Sequence, residues 1–134
     1  MKAIIYKSKA LLSDIDLNEL LRKARIHNSQ HQITGILVTV IDGFYQYIEG
    51  PEDYIDSLYH RIVMDERHHD VTKIYEHPLT HRRFHNWSMG YLNLIHVDDL
   101  AQIENHENTV EEFQALIERI MPLELDESLQ LQTT

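Results

Sequence analysis

Ile33-Thr34-Gly35-Ile36-Leu37-Val38-Thr39-Val40-Ile41-Asp42-Gly43-Phe44-Tyr45-Gln46-Tyr47-Ile48-Glu49-Gly50-Pro51 reads as a β-hairpin that feeds a helix. Ile33 to Ile41 is a β-branched run, Asp42-Gly43 is a strong hairpin turn signal, and a second strand follows and ends at Glu49-Gly50-Pro51. Pro51 is suited to open a helix, where its missing N–H is not needed. Side chains alternate across a strand, so Phe44, Gln46 and Ile48 share one face. The two apolar neighbours argue that this face is buried. A buried primary amide left unpaired costs about 1–3 kcal/mol, so Gln46 requires a polar partner inside the core.

Upstream, Ala3-Ile4-Ile5-Tyr6 is a short β-prone run. Ser13 is placed to cap a helix, with Asp14 and Asp16 in its first turn. Leu17, Leu20, Leu21 and Ala24 recur at helical spacing, and Asn28 continues the stripe. Downstream, Ile55, Leu58, Tyr59 and Ile62 form the core stripe of a second helix, with Tyr54, Leu58, Arg61 and Asp65 on an adjacent one. Asp70 to Glu76 reads as a fourth strand. Trp87 to Leu92 reads as a fifth, with Trp87, Met89 and Tyr91 on one face. The order β-α-β-β-α-β-β predicts an α+β fold, a ferredoxin-like five-stranded mixed sheet with two helices on one face. Thr109 and Glu112 form a capping box for a further helix, whose apolar stripe is Val110, Phe113, Leu116, Ile117 and Ile120. That C-terminal segment is expected on the sheet's other face, with a partner protein as the alternative cover. Pro122 ends it, and the tail beyond is expected to be disordered.

Charge divides the chain. The 134 residues carry a formal net charge of −10. Residues 1–94 hold 12 acidic and 11 basic side chains, whereas residues 95–134 hold 10 acidic ones and a single base, Arg119. This predicts a near-neutral core over 1–94 and an acidic helical appendage over 95–134. An acidic chain argues against nucleic-acid binding. The sequence has no apolar run of membrane-spanning length and no signal-peptide pattern, so a cytoplasmic protein is expected. The absence of cysteine excludes disulfides, thiol catalysis and zinc–thiolate sites. His68-His69 and the four-spaced His77, His81 and His85 raise the question of a metal, but Pro78 argues against a regular helix there. A solvated polar loop is the better reading, and no metal is expected.

Polar residues on faces that should be core carry the functional signal. Tyr6 and Gln46 lie on two strands, Asn28 on the stripe of the first helix, and Arg61 and Asp65 beside the stripe of the second. Each has an ordinary explanation alone: a phenol that finds a partner, a residue ending a helix, an i,i+4 ion pair between Arg61 and Asp65. Together they describe a polar slot between two helices, floored by a sheet. It suits a planar heterocycle with carbonyl and N–H edges, sandwiched by apolar side chains. A flavin fits, and so do other heterocycles. An acylphosphatase-like enzyme does not, because Lys7-Ser8-Lys9-Ala10 has no glycine with which to build a phosphate cradle.

Residues 2–94 resemble BLUF domains, blue-light sensors using FAD. The matching stretches are Ile4-Ile5-Tyr6-Lys7-Ser8, His27-Asn28, Ile33-Thr34-Gly35-Ile36-Leu37, Gly43 to Gly50, Tyr59-His60-Arg61-Ile62, Asp65-Glu66-Arg67-His68-His69 and Asn86-Trp87-Ser88-Met89. Each is weak alone, but their order and spacing are specific. The resemblance implies a photoreceptor rather than an enzyme, of the short single-domain type. Tyr6 matches the tyrosine that donates an electron and a proton to the excited flavin. Gln46 matches the glutamine whose hydrogen bonds then rearrange. Asn28 matches the asparagine that bonds the flavin's pyrimidine edge. His27, Arg61, Asp65, Arg67 and His68 match residues of the flavin site. Trp87 and Met89 match fifth-strand residues that report the switch. At position 27 many relatives have Asn, which leaves the ring contact of His27 the least defined. The implied cofactor is FAD, with FMN or riboflavin as substitutes. The 40 residues after Leu94 leave no room for a cyclase or phosphodiesterase. Output is therefore expected through a separate partner protein or self-association into a homo-oligomer. A light-insensitive interaction module that has lost its flavin is the alternative.

Overall fold

A computed structural model describes residues 1–40, 42–84, 87–93 and 115. The elements are β1 (Lys2–Lys9), α1 (Asp14–Gln30), β2 (Thr34–Val40), β3 (Gly43–Gly50), α2 (Glu52–Met64), β4 (His69–Pro78) and β5 (Gly90–Asn93). They build one mixed sheet in the order β4-β1-β3-β2-β5. β3 runs antiparallel to both neighbours, as does β1 to β4, whereas β5 joins β2 in parallel. The first four strands and two helices thus form two interleaved β-α-β units, and β5 extends the sheet. This is the expected α+β, ferredoxin-like arrangement.

Local chemistry explains the boundaries. The Ser13 side chain accepts a hydrogen bond from the Asp16 amide (3.1 Å), capping α1. Pro51 precedes α2 as its cap residue, and Glu52 and Asp53 complement the positive end of the helix dipole. In the β2–β3 hairpin Val40 faces Gly43, Thr39 faces Phe44 and Leu37 faces Gln46. Gly35 is needed at its place in β2. A Cβ there would lie 2.0 Å from the Tyr47 carbonyl oxygen, closer than any side chain can come.

Strand alternation sorts the core into two layers. Ile4, Tyr6, Leu37, Phe44 and Ile48 point to the helix side and meet Leu21 of α1 and Ile55 of α2. Ala3, Ile5, Ile36, Val38, Tyr45 and Tyr47 point to the other side and meet Ile74, Phe84 and Leu92. Fully burying an aliphatic side chain of this size contributes about 1.5–3 kcal/mol.

Two expectations are corrected. The fifth strand begins at Gly90, not Trp87, because the chain bends at Ser88 and Met89. Alternation does not carry across that bend. Met89 and Tyr91 pack on the helix side, whereas Trp87 packs on the opposite side against Phe84. Gly90 accommodates the indole: a Cβ there would meet Trp87 Cε3 at 2.6 Å. In addition, α2 ends at Met64, and the Asp65 carboxylate pairs with Arg67 and not with Arg61. The helix expected near Val110–Ile120, its Thr109–Glu112 capping box, the tail, Asn86 and His85 lie outside the described residues. Among the described residues, no helix is long and apolar enough to cross a membrane.

Candidate functional site

Between the two helices and the sheet lies a cavity of about 290 Å³, near the lower end of small-molecule sites at about 300–1,000 Å³. Its floor is Tyr6 from β1 with Phe44 and Gln46 from β3. One wall is Leu20, Ala24 and Asn28 of α1, and the other is Leu58 and Ile62 of α2. Lys23, His27, Arg61, Asp65, Arg67 and His68 complete the lining. Every residue proposed from sequence for flavin contact therefore borders this one space. Leu12 and Lys23 also line it and were not singled out from sequence.

At the floor, the Tyr6 hydroxyl donates to Gln46 Oε1. The opposite end of the amide, Nε2, donates to the Met89 thioether (3.3 Å), a weak acceptor. Both side chains are buried. Burial raises the Tyr6 phenol well above its ordinary value, with Tyr59 and Asp65 adding to the effect. Tyr6 is thus a neutral hydroxyl donor throughout the physiological range.

Asn28, also buried, is fixed from two sides. Its Nδ2 donates to the Ser88 carbonyl (2.7 Å), and its Oδ1 faces His27 Nδ1 (3.2 Å). His27 Nε2 receives an N–H from Arg61 (2.6 Å). An imidazole that donates at Nδ1 and accepts at Nε2 is neutral. Burial, then Arg61 and the stacked His31, hold its pKa below the ordinary value. His68 lies between the Ser8 hydroxyl (2.6 Å) and the Ile62 carbonyl (2.6 Å) and stacks on Phe44. Trp87 does not reach the cavity, whereas Met89 touches it through Gln46.

Asp65 turns to Arg67 instead of Arg61. The Arg67 guanidinium bonds both carboxylate oxygens, and the Arg67 amide adds a third donor (2.9 Å). These side-chain bonds outweigh desolvation and hold the Asp65 pKa at about 2, below its ordinary 3.8. A carboxylate depressed in the folded state stabilises above its unfolded pKa and loses that contribution as pH falls through the folded one. Because the pair is largely solvent-screened, Asp65→Asn is expected to cost less than about 1 kcal/mol near neutral pH. The gap between the urea midpoints of the two proteins should narrow as pH drops from about 4 through about 2. A gap that stays constant over that range contradicts this assignment.

The donor set matches a flavin. The Asn28 and Gln46 amides suit a ring edge bearing carbonyl and N–H groups, and the aliphatic walls suit the ring's two faces. Lys23, Arg61 and Arg67 bring positive charge to the lining for phosphate.

Comparison with known proteins points the same way. The BLUF family model, described as sensors of blue-light using FAD, matches residues 1–90. Photoactivated adenylate cyclase subunit beta of Euglena gracilis is 40% identical over 84 residues, which is 61% of this chain and 10% of that protein. The blue light- and temperature-regulated antirepressor BluF of Escherichia coli (strain K12) is 32% identical over 88 residues, 64% of this chain and 22% of that protein. The chain thus spans only about a tenth to a fifth of these relatives' lengths. Among solved structures, the dark state of BlrB, a BLUF protein, superposes with a TM-score of 0.75 at 31% identity, covering 87% of this chain and 93% of that one. Klebsiella pneumoniae BlrP1 with FMN and cyclic diGMP gives 0.69 at 28% identity, covering 90% and 34%.

Proposed function

The chain belongs to the BLUF family of blue-light sensors, and we propose that Tyr6 and Gln46 are its light-driven switch, with FAD held between α1 and α2. The observation that carries this reading is the buried Tyr6–Gln46 hydrogen bond at the floor of the cavity. When bound, the flavin supplies blue absorption and an electron-accepting excited state.

The residues then have distinct tasks. Asn28 holds the ring's polar edge. Leu20, Ala24, Leu58 and Ile62 exclude water from its faces. Tyr6, kept neutral by burial, has a proton to release from its hydroxyl and an electron to give from its ring. Gln46 is positioned to receive that change, because an amide presents either oxygen or NH2 to the same neighbour. Its present NH2 partner, a thioether, is weak and readily exchanged. A rearrangement worth about 1–3 kcal/mol biases a two-state element by roughly 5- to 150-fold. Residues 87–93, joined to Gln46 through Met89, are the element it biases. The light-insensitive alternative is disfavoured by the same Tyr6–Gln46 bond.

The reading extends to a core over 1–94 and an acidic segment over 95–134, with output through a separate protein partner or self-association. FAD is the flavin we propose; Lys23 and Arg61 of the lining support a phosphate-bearing form. The decisive experiment is the visible spectrum of the purified protein with added FAD. A flavin spectrum that shifts reversibly to the red under blue light is expected. A protein that takes up no FAD, or binds it without any shift, overturns the proposal.

A further inference from the structure

Glu49 lies on β3, three residues beyond Gln46, and points to the opposite side of the sheet. It has no solvent exposure. Its carboxylate receives four donors. Oε2 accepts from the Thr34 hydroxyl (2.9 Å) and the Phe84 amide (2.7 Å), and Oε1 accepts from the Tyr47 hydroxyl (3.0 Å) and the Arg83 amide (2.7 Å). Arg82 reinforces the attachment by donating to Thr34 Oγ1 (3.0 Å) and the Gln32 carbonyl (2.6 Å). One buried carboxylate therefore fastens residues 82–84 to the hairpin.

The next described residues are fastened elsewhere. The Gly35 amide donates to the Trp87 carbonyl (2.9 Å), Asn28 Nδ2 to the Ser88 carbonyl, and Arg25 Nε to the Met89 carbonyl (3.0 Å). Gln46 reaches the Met89 sulfur. Between the two attachments, Phe84 stacks on Trp87 with ring centroids 5.5 Å apart. A change at Gln46 is thus felt at the Met89 end of a segment whose other end is fixed.

We propose that Glu49 is a positioning residue for the switch: it anchors residues 83–84, so that a change at Gln46 repacks Trp87 instead of displacing the whole segment. This rests on the light-sensing role proposed for Tyr6 and Gln46. The chemistry is specific to a carboxylate. Only it accepts on both oxygens from all four donors. In Glu49→Gln, one side of the amide becomes a donor. A facing hydroxyl can rotate to accept from it, but a backbone N–H cannot. Either the Arg83 or the Phe84 amide then loses its partner.

Trp87 is the sole tryptophan, so its fluorescence reads this joint without interference from another indole. The test compares the full-length, FAD-loaded protein with Glu49→Gln in the dark and under blue light. The expected result is an unchanged flavin red shift, a dark Trp87 emission moved to longer wavelength, and a light-induced emission change reduced at least twofold. If Glu49→Gln does not fold, Thr34→Val and Tyr47→Phe each remove one donor and should show the same split in weaker form. Emission changes equal to wild type in the variants overturn the anchor role, as does a wild-type protein that red-shifts while its Trp87 emission ignores light. Loss of the red shift in Glu49→Gln also overturns it, because that places Glu49 in the photochemistry itself. A wild-type protein with no red shift fails the light-sensing role and not the anchor.

Discussion

Tyr6→Phe is expected to bind flavin but to form the red-shifted state with a yield lower by about two orders of magnitude, the scale of a positioned proton-transfer group. The substitution removes one oxygen and leaves the ring, so the packing against Phe44 and Tyr59 persists. What disappears is the only phenol among the cavity's lining residues and the donor to Gln46 Oε1. A stability cost of about 1–3 kcal/mol should accompany it, because the buried amide oxygen loses its partner. Difference spectra under continuous blue light and a thermal melt measure the two effects. A red shift of wild-type size in Tyr6→Phe refutes the role given to the hydroxyl.

Gln46→Leu fails at the next step. Its yellow colour should be retained, since Asn28 and the aliphatic walls remain, but no red shift should form. Leucine suits the site sterically, because Phe44 and Ile48 on the same strand face are already apolar. It offers neither oxygen nor NH2, so no hydrogen bonds are available to rearrange. Gln46→Glu keeps the shape and loses the NH2, and should also lack the shift. Transient absorption separates these variants from Tyr6→Phe: the flavin excited state should still be quenched rapidly while Tyr6 is present. A persistent reversible red shift in Gln46→Leu excludes the amide as the responding group.

How far the sequence could be read depended on the range of the interactions. The hairpin, the α1 cap and the alternation that places Gln46 beside Phe44 and Ile48 are local, and they appear as expected. Asn28 was legible because helical periodicity carries four residues beyond Ala24. The same logic should have reached Glu49. It shares a face with Tyr45 and Tyr47 on a strand with two buried faces, but the adjacent Gly50-Pro51 marks it only as the strand's end. Its partners Arg83 and Phe84 are more than thirty positions away, and no pattern in β3 announces them. Asn28 and Ser88, sixty positions apart, present the same difficulty. The misplacement of Trp87 has another cause: period-two reasoning assumes a continuous strand, and the bend at Ser88–Met89 removes that assumption. The Arg61–Asp65 pair is absent for another reason: just past the helix end the Arg67 guanidinium takes the Asp65 carboxylate.

β5 is four residues long and, among the described residues, pairs with β2 alone. Such an end ladder has few bonds to break, and parallel pairing is slightly weaker per residue than antiparallel. It therefore belongs to the part of the protein that opens at low cost, well before the sheet as a whole unfolds. A hydrogen-bond rearrangement at Gln46 of the proposed size, about 1–3 kcal/mol, is too small to open the central strands. Linked through Met89 to this weakly held joint, it meets a barrier of its own scale.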